Sequence, residues 1–334
     1  MSTHPDLESI AVPAELQSMA SLGGGHGLFQ TLRAARMMGV PDITAIVTVA
    51  DDGGSSGRIR RELGHIPPGD LRMALAALSR DDEMGQLWES VLQHRFGGSG
   101  ALAGHAVGNL LIAGLTDVLG SQVKALDIVA QLTRSHGRVV PMCEQPLDIE
   151  AEVAGLADDP RIMRMLRGQV AVATTPGEVR RVRLMPEHPP AGQDALYAIE
   201  RADLITIGPG SWFSSVIPHL LVPQLVEAIS RSSALRVVVL NLSNTQLETT
   251  GFSVERHVHM LLQHAPKLKV DRLLIDEAAH IDETERVHLE RVAKSMGAEV
   301  SFADVRLYKE DGSSTDRHCP AKLASALSEL YRSR

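Results

Sequence analysis

Aromatic residues are scarce in this 334-residue chain: two Trp, three Tyr and five Phe make up 3% of it. A surface that stacks single-stranded RNA or DNA needs aromatic platforms, so that class is poorly provided for. Cationic runs are missing too. The net charge is −8 and no long Lys/Arg stretch occurs, which leaves no electrostatic footprint for duplex nucleic acid. Only two cysteines are present, Cys143 and Cys319, far apart and outside CxxC spacing. That excludes a disulfide scaffold and a zinc ribbon, and makes a reducing, cytoplasmic setting the expectation. No run of about 18 consecutive apolar residues exists, so no membrane span is expected. The N-terminal stretch carries Asp6, Glu8 and Glu15 without a basic segment, unlike a secretory signal.

What remains is ordinary globular usage, 44% apolar and 22% charged. Residues 1–15 read as a flexible N-terminal segment, and 16–334 as a single domain. Leu28, Leu32, Ala35 and Met38 recur at helical spacing until Gly39. Residues 43–50, ITAIVTVA, form the β-branched run of a strand buried on both faces. Helices are expected over 71–78, 87–96, 107–119 and 123–132. From 138 to about 190 short alternating segments, among them 169–174 and 179–185, read as a small β-rich insert. Strands at 204–207, 235–242, 273–275 and 299–303 then alternate with helices at 222–230, 254–264, 283–296 and 321–331. Such alternation at both ends implies an α/β fold: an open, mostly parallel sheet with helices on both faces.

Three glycine loops end strands. The first, Gly23-Gly24-Gly25-His26-Gly27, precedes a helix, and free backbone N–H groups at a helix start suit phosphate. It is not the dinucleotide fingerprint: Leu28 occupies the last position of GxGxxG counted from Gly23, and no Walker lysine follows. A tight turn without ligand is the alternative. The second loop runs Asp51-Asp52-Gly53-Gly54-Ser55-Ser56-Gly57-Arg58. Successive side chains point apart, so one carboxylate can face a crevice and hold Mg²⁺ or a hydroxyl while the other caps a loop. Ser55, Ser56 and Arg58 suit phosphate; a solvated turn is the plainer account. The third loop is Gly208-Pro209-Gly210-Ser211, and sheets of this kind bind ligands where loops of the two halves meet. His105 or Asn109, at a helix start, serves either as a crevice hydrogen-bonding group or as a cap. Asp70 reads as an N-cap. No HExxH occurs, and His257, His259 and His94 read as surface residues.

Taken together, GGGHGL at 23–28, ITAIVTVADDGGSSGRIRRELG at 43–64, IPPGDLRMALAAL at 66–78, GHAVGNLLIAGL at 104–115 and ITIGPGSWFSSVIPHLLVP at 205–223 resemble the YvcK-like gluconeogenesis factor family. The stretch 251–266 resembles its actinobacterial branch, and the family is related to 2-phospho-L-lactate transferase. The resemblance implies a Rossmann-like fold and a cytoplasmic protein needed for cell shape and wall synthesis during gluconeogenic growth. It implies a nucleotide-sugar ligand such as UDP-N-acetylglucosamine, a homo-oligomer, and cell-wall enzymes as partners. It carries nucleotide- or phosphate-binding roles onto Gly24, Gly25, His26, Gly27, Ser55, Ser56, Arg58, Asn109, Gly208, Gly210 and Ser211. Asp51 and Asp52 are implied as metal ligands, and with Asn109 as the catalytic candidates. No cofactor is required by the first reading. The alternative is a transferase acting on a nucleotide-diphosphate-linked donor with Mg²⁺, as the transferase relative does. One departure stands out: Thr245 and Leu247 occupy positions where the family carries Gln and Gly.

Overall fold

The computed structural model describes residues 13–159, 162–242, 249 and 251–334; Thr245 and Leu247 lie outside them. Strand β1 (Ser18–Gly23) leads into α1 (Gly25–Met37), and β2 (Asp42–Val47) follows. The predicted strand 43–50 ends early because Thr48 and the residues after it leave the sheet toward the acidic loop. Helices α2 (Gly54–Leu63), α3 (Gly69–Leu78), α4 (Glu83–Gln93), α5 (Val107–Leu119) and α6 (Gln122–Leu132) pack in succession. The helix α2 thus begins inside the second glycine loop.

Strand β3 (Arg138–Pro141) pairs in parallel with β2 and joins the main sheet. A separate antiparallel sheet holds β4 (Asp148–Ala154), β5 (Arg164–Arg167) and, after helix α7 (Gln169–Ala173), β6 (Glu178–Met185). The alternating segment 169–174 is therefore a helix. Gly168 turns the chain at a φ of +104°, and Thr174 bonds back to Val170 rather than to a neighbouring strand.

The α/β rhythm resumes with α8 (Gln193–Arg201), β7 (Leu204–Ile207), a π-helical turn at Trp212–Val216, α9 (Ile217–Leu220), α10 (Pro223–Arg231) and β8 (Leu235–Val239). It continues through α11 (Val254–His264), β9 (Arg272–Asp276), α12 (Glu283–Ser295) and β10 (Glu299–Ala303). A hairpin that periodicity did not reveal, β11 (Arg306–Tyr308) and β12 (Ser314–His318), precedes α13 (Pro320–Arg332). Helix starts are set by local chemistry: Asp82, Ser121, Ser253 and Asp282 each accept the backbone N–H three residues on.

The main sheet has seven strands in the order β10-β9-β8-β7-β1-β2-β3, all parallel. Its central strands are mostly apolar, as burial on both faces demands; β7 is wholly buried, and its Thr206 hydroxyl is satisfied by Ser21 of β1 at 2.9 Å. Strand order reverses at β1, which lies between β2 and β7. That is the topological switch point, where the loops after β1 and β7 diverge and leave a crevice at the carboxyl edge.

Candidate functional site

A cleft of about 390 Å³ opens at this switch point. Gly24, Gly25, His26, Gly27 and Gln30 form one wall at the start of α1. Helix α1 has no cap from its own N-cap residue and no acidic residue in its first turn; the Asp70 carboxyl of α3 accepts the Gly25 N–H, and the rest of the helix's positive end faces the cleft. The opposite wall is Pro209, Gly210 and Ser211, with Ser214 and Ser215 of the π-helical turn. The two loops touch: a Cβ on Gly27 would overlap the Pro209 carbonyl, and Thr31 Oγ1 donates to the carbonyls of Gly27 (3.3 Å) and Gly208 (3.4 Å). Asn241, just beyond β8, clamps Gly210 by accepting its N–H at 3.0 Å and donating to its carbonyl at 2.8 Å.

Charged residues collect at two ends of the cleft. Thr48, Asp51 and Asp70 line the end beside β2, where Gln169 of α7 closes the wall. Asp70 accepts the Gly25 N–H, and enclosure together with the nearby Asp51 charge pushes its carboxyl up to about 7. Gly24 has to lack a side chain, because a Cβ there would overlap Asp70 Oδ2. Asp51 is also raised, chiefly by burial and then by the charge of Asp52. The Gly53 N–H at 2.9 Å and the Ser56 hydroxyl pull it back. At the other end, the hairpin places Asp316, Arg317 and His318 against the cleft. Arg317 is the one Arg or Lys among the lining residues. Burial and the Arg317 charge both hold His26 below its ordinary value. The hairpin is moored by Arg306, whose Nε meets Asp276 Oδ1 at 3.2 Å and whose second nitrogen donates to the Leu242 carbonyl at 2.7 Å.

Of the residues singled out from sequence, Gly24, Gly25, His26, Gly27, Asp51, Gly210 and Ser211 line the cleft. The others do not. Asp52 turns away and accepts the Val170 N–H at 2.9 Å. Ser55 bonds the His105 ring and the Asn109 amide, each at 3.0 Å, and Arg72 Nε donates to Asn109 at 3.0 Å. That buried network ties α2, α3 and α5 together and leaves Asn109 and Ser55 outside the wall. Arg58 donates to the Ala103 carbonyl at 2.7 Å, Ser56 supports Asp51, and Gly208 serves Thr31. Among the described residues no group of three His, Cys, Asp or Glu is arranged to hold a metal ion, and Asp51 and Asp52 do not form a pair.

Sequence reasoning gave Asp70 only the role of a helix cap and passed over Gln169, Asn241 and Arg317. The α3 cap falls on Pro68, so Asp70 sits in the first turn rather than capping it. Asn241 follows the apolar run 237–240, a visible signal. Arg317 gave none. His257, read as a surface residue, is buried against Trp212 and Phe252, with ring centroids 5.4 Å apart in both cases.

A doubly wound α/β protein with a polar crevice at its switch point is the class these features define. The chain belongs to the 2-phospho-L-lactate transferase CofD family, whose model matches residues 19–312. It is 57% identical over 315 residues to a "putative gluconeogenesis factor" of Mycobacterium leprae, spanning 94% of this chain and 86% of that protein. It is 36% identical over 324 residues to the gluconeogenesis factor of Bacillus subtilis, with coverages of 94% and 98%. A solved member of the UPF0052 family from Bacillus halodurans superposes with a TM-score of 0.79 at 33% identity, covering 93% of this chain and 99% of that one. The resemblance seen in the loops and the Rossmann-like fold are thus both shown. No single helix among the described residues is long and apolar enough to cross a membrane.

Proposed function

We propose that the cleft binds a nucleoside diphosphate sugar, a UDP-sugar such as UDP-N-acetylglucosamine, and that the protein regulates cell shape and wall synthesis during gluconeogenic growth through this ligand. The observation that carries the reading is the meeting of the α1 start, which has no acidic residue in its own first turn, with the 208–211 loop, with Arg317 at the same cleft. A helix start, loop N–H groups and one guanidinium suit a diphosphate. The carboxylates and the Gln169 amide suit the hydroxyls of a sugar. The gluconeogenesis factor names of the relatives favour a regulatory role. Calorimetry against UDP-, GDP- and nicotinamide-linked ligands, with Mg²⁺ or with EDTA, tests it. UDP-sugar should bind about equally in both buffers, and no donor and acceptor pair should give product. UDP-sugar failing to bind, or metal-dependent turnover of a nucleotide-diphosphate donor, would overturn this reading.

One observation favours a second reading, a Mg²⁺-dependent transferase using such a donor; the family's name is that of a 2-phospho-L-lactate transferase. Asp51 and Asp70 line one cleft, both raised, with no Lys or Arg side chain ion-paired to either among the described residues. Mg²⁺ is held by one or two carboxylates plus substrate phosphates, so these two residues fit it and Asp52 does not. The ion would neutralise charge on the donor's phosphates, the nucleoside monophosphate leaving as the phospho-linked group passes to the acceptor hydroxyl. Asp51 or Asp70 would then orient the acceptor hydroxyl and take its proton. On this reading Asp51→Asn and Asp70→Asn abolish product formation. On the regulatory reading Asp51→Asn fails only in restoring cell shape.

A further inference from the structure

The two adjacent acids of the second glycine loop part company, and Asp52 reaches the insert rather than the cleft. Its Oδ1 accepts the Val170 N–H at 2.9 Å. A Cβ on Gly168 would overlap its other oxygen, so the chain can cross the carboxylate only because glycine stands there. A Cβ on Gly53 would come 2.9 Å from Val170 Cγ2, so loop and insert are in close contact on the other side as well. Between Gly168 and Val170 stands Gln169, the one described residue of the 148–185 segment that lines the cleft. Helix α7 is only five residues long, too short to hold its place by its own hydrogen bonds.

The sheet order says which part of a ligand Gln169 meets. Strand β1, with the α1 start, is central; β2, with Asp51 and Gln169 beyond it, lies to one side. Strands β7 and β8 lie to the other, with Asn241 just beyond β8 and the hairpin moored there through Arg306 to Leu242 and Asp276. A diphosphate on the α1 start, beside Asp70, therefore sends one arm toward the hairpin and the other toward Asp51 and Gln169. A neutral amide donates and accepts at once, which matches sugar hydroxyls and an acetamido group.

We infer that Gln169 reads the sugar half of a bound nucleoside diphosphate sugar, and that Asp52 is the positioning residue that holds Gln169 in the cleft. The first half rests on the ligand proposed above; the second does not. The test measures equilibrium binding of UDP, UDP-glucose and UDP-N-acetylglucosamine to the wild type and to Gln169→Ala, Asp52→Ala and Asp52→Asn. It adds amide hydrogen exchange of residues 168–174 without ligand.

Gln169→Ala should weaken the UDP-sugars about tenfold, the worth of a good hydrogen bond, and leave UDP unchanged. Asp52→Ala should show the same selective loss, and the double variant should be no weaker than Gln169→Ala alone, since both remove one contact. Asp52→Asn, which keeps an acceptor oxygen, should retain most of the affinity. Exchange at 168–174 should quicken in Asp52→Ala. Equal weakening of UDP and UDP-sugars, or no weakening, overturns the role of Gln169. Unchanged exchange in Asp52→Ala overturns the role of Asp52. Should the wild type bind neither UDP nor UDP-sugar, the cleft reading falls and Gln169 with it, while exchange still decides Asp52.

Discussion

At the scale of single residues, the glycines of the first loop do different work. Gly25 has a φ of +57° but open space where a Cβ would go, whereas Gly27 abuts the Pro209 backbone. Gly25→Ala should cost about 1 kcal/mol from left-handed strain and weaken ligand binding by intruding on the cleft. Gly27→Ala should lower the thermal midpoint of the ligand-free protein considerably more, because it drives the two loops apart. Comparing melting curves with nucleotide titrations separates the two, and equal effects would dissolve the distinction.

Asp70 makes a pH prediction. Its folded carboxyl is raised to about 7, so the folded state holds a proton that the unfolded chain releases near the ordinary carboxylate value, about 4. The contribution of Asp70 to the stability of the ligand-free protein in EDTA should therefore fall as pH rises from about 4 through about 7. Asp70→Asn should raise the midpoint at pH 8 by on the order of 5 °C and leave it nearly unchanged at pH 4. A pH-independent difference would show that the enclosure of Asp70 carries no such cost.

At the scale of elements, the hairpin β11–β12 matters most. It brings Arg317 to the cleft and is moored through Arg306 to Asp276, whose side chain is 1% exposed. Asp276 also accepts the Val305 N–H at 3.2 Å. Arg306→Ala leaves that carboxylate buried without its partner and should cost about 3–5 kcal/mol, read by urea unfolding. Ligand affinity should drop in the same variant under folding conditions. Full affinity in a destabilised Arg306→Ala would mean that the hairpin is not a wall of the site.

Legibility differed by element for reasons of period. β2, β7, β8 and the long helices announce themselves through β-branched runs or 3.6-residue spacing. The hairpin hides because its strands, RLY and STDRH, are short and mostly exposed. Helix α7 misleads because QVAVA alternates like a strand, while its fate was set by Gly168 and by Asp52, over a hundred residues earlier.

At the scale of the whole molecule, ligand binding should stabilise every unit that meets at the cleft. A UDP-sugar at about 100 times its Kd should add roughly 2.7 kcal/mol, a rise in midpoint of on the order of 5 °C for a chain of this size. The midpoint should climb further with ligand concentration. A midpoint insensitive to UDP-sugar would contradict occupancy of the cleft.

Strand–helix alternation, the three glycine loops and the family itself are written in local order, because turns and amphipathic periods depend on near neighbours. Seven lining residues of the cleft were legible for that reason: Gly24, Gly25, His26, Gly27, Asp51, Gly210 and Ser211 all belong to those loops. Folding settled the rest. Whether Asp51 pairs with Asp52 or with Asp70 depends on where α3 packs. Whether Gln169 or Arg317 sees the ligand depends on strand order and on contacts between segments more than a hundred residues apart. Those placements come from the burial of whole faces against one another. The chain's linear pattern carries each face separately and leaves their meeting to the packed core.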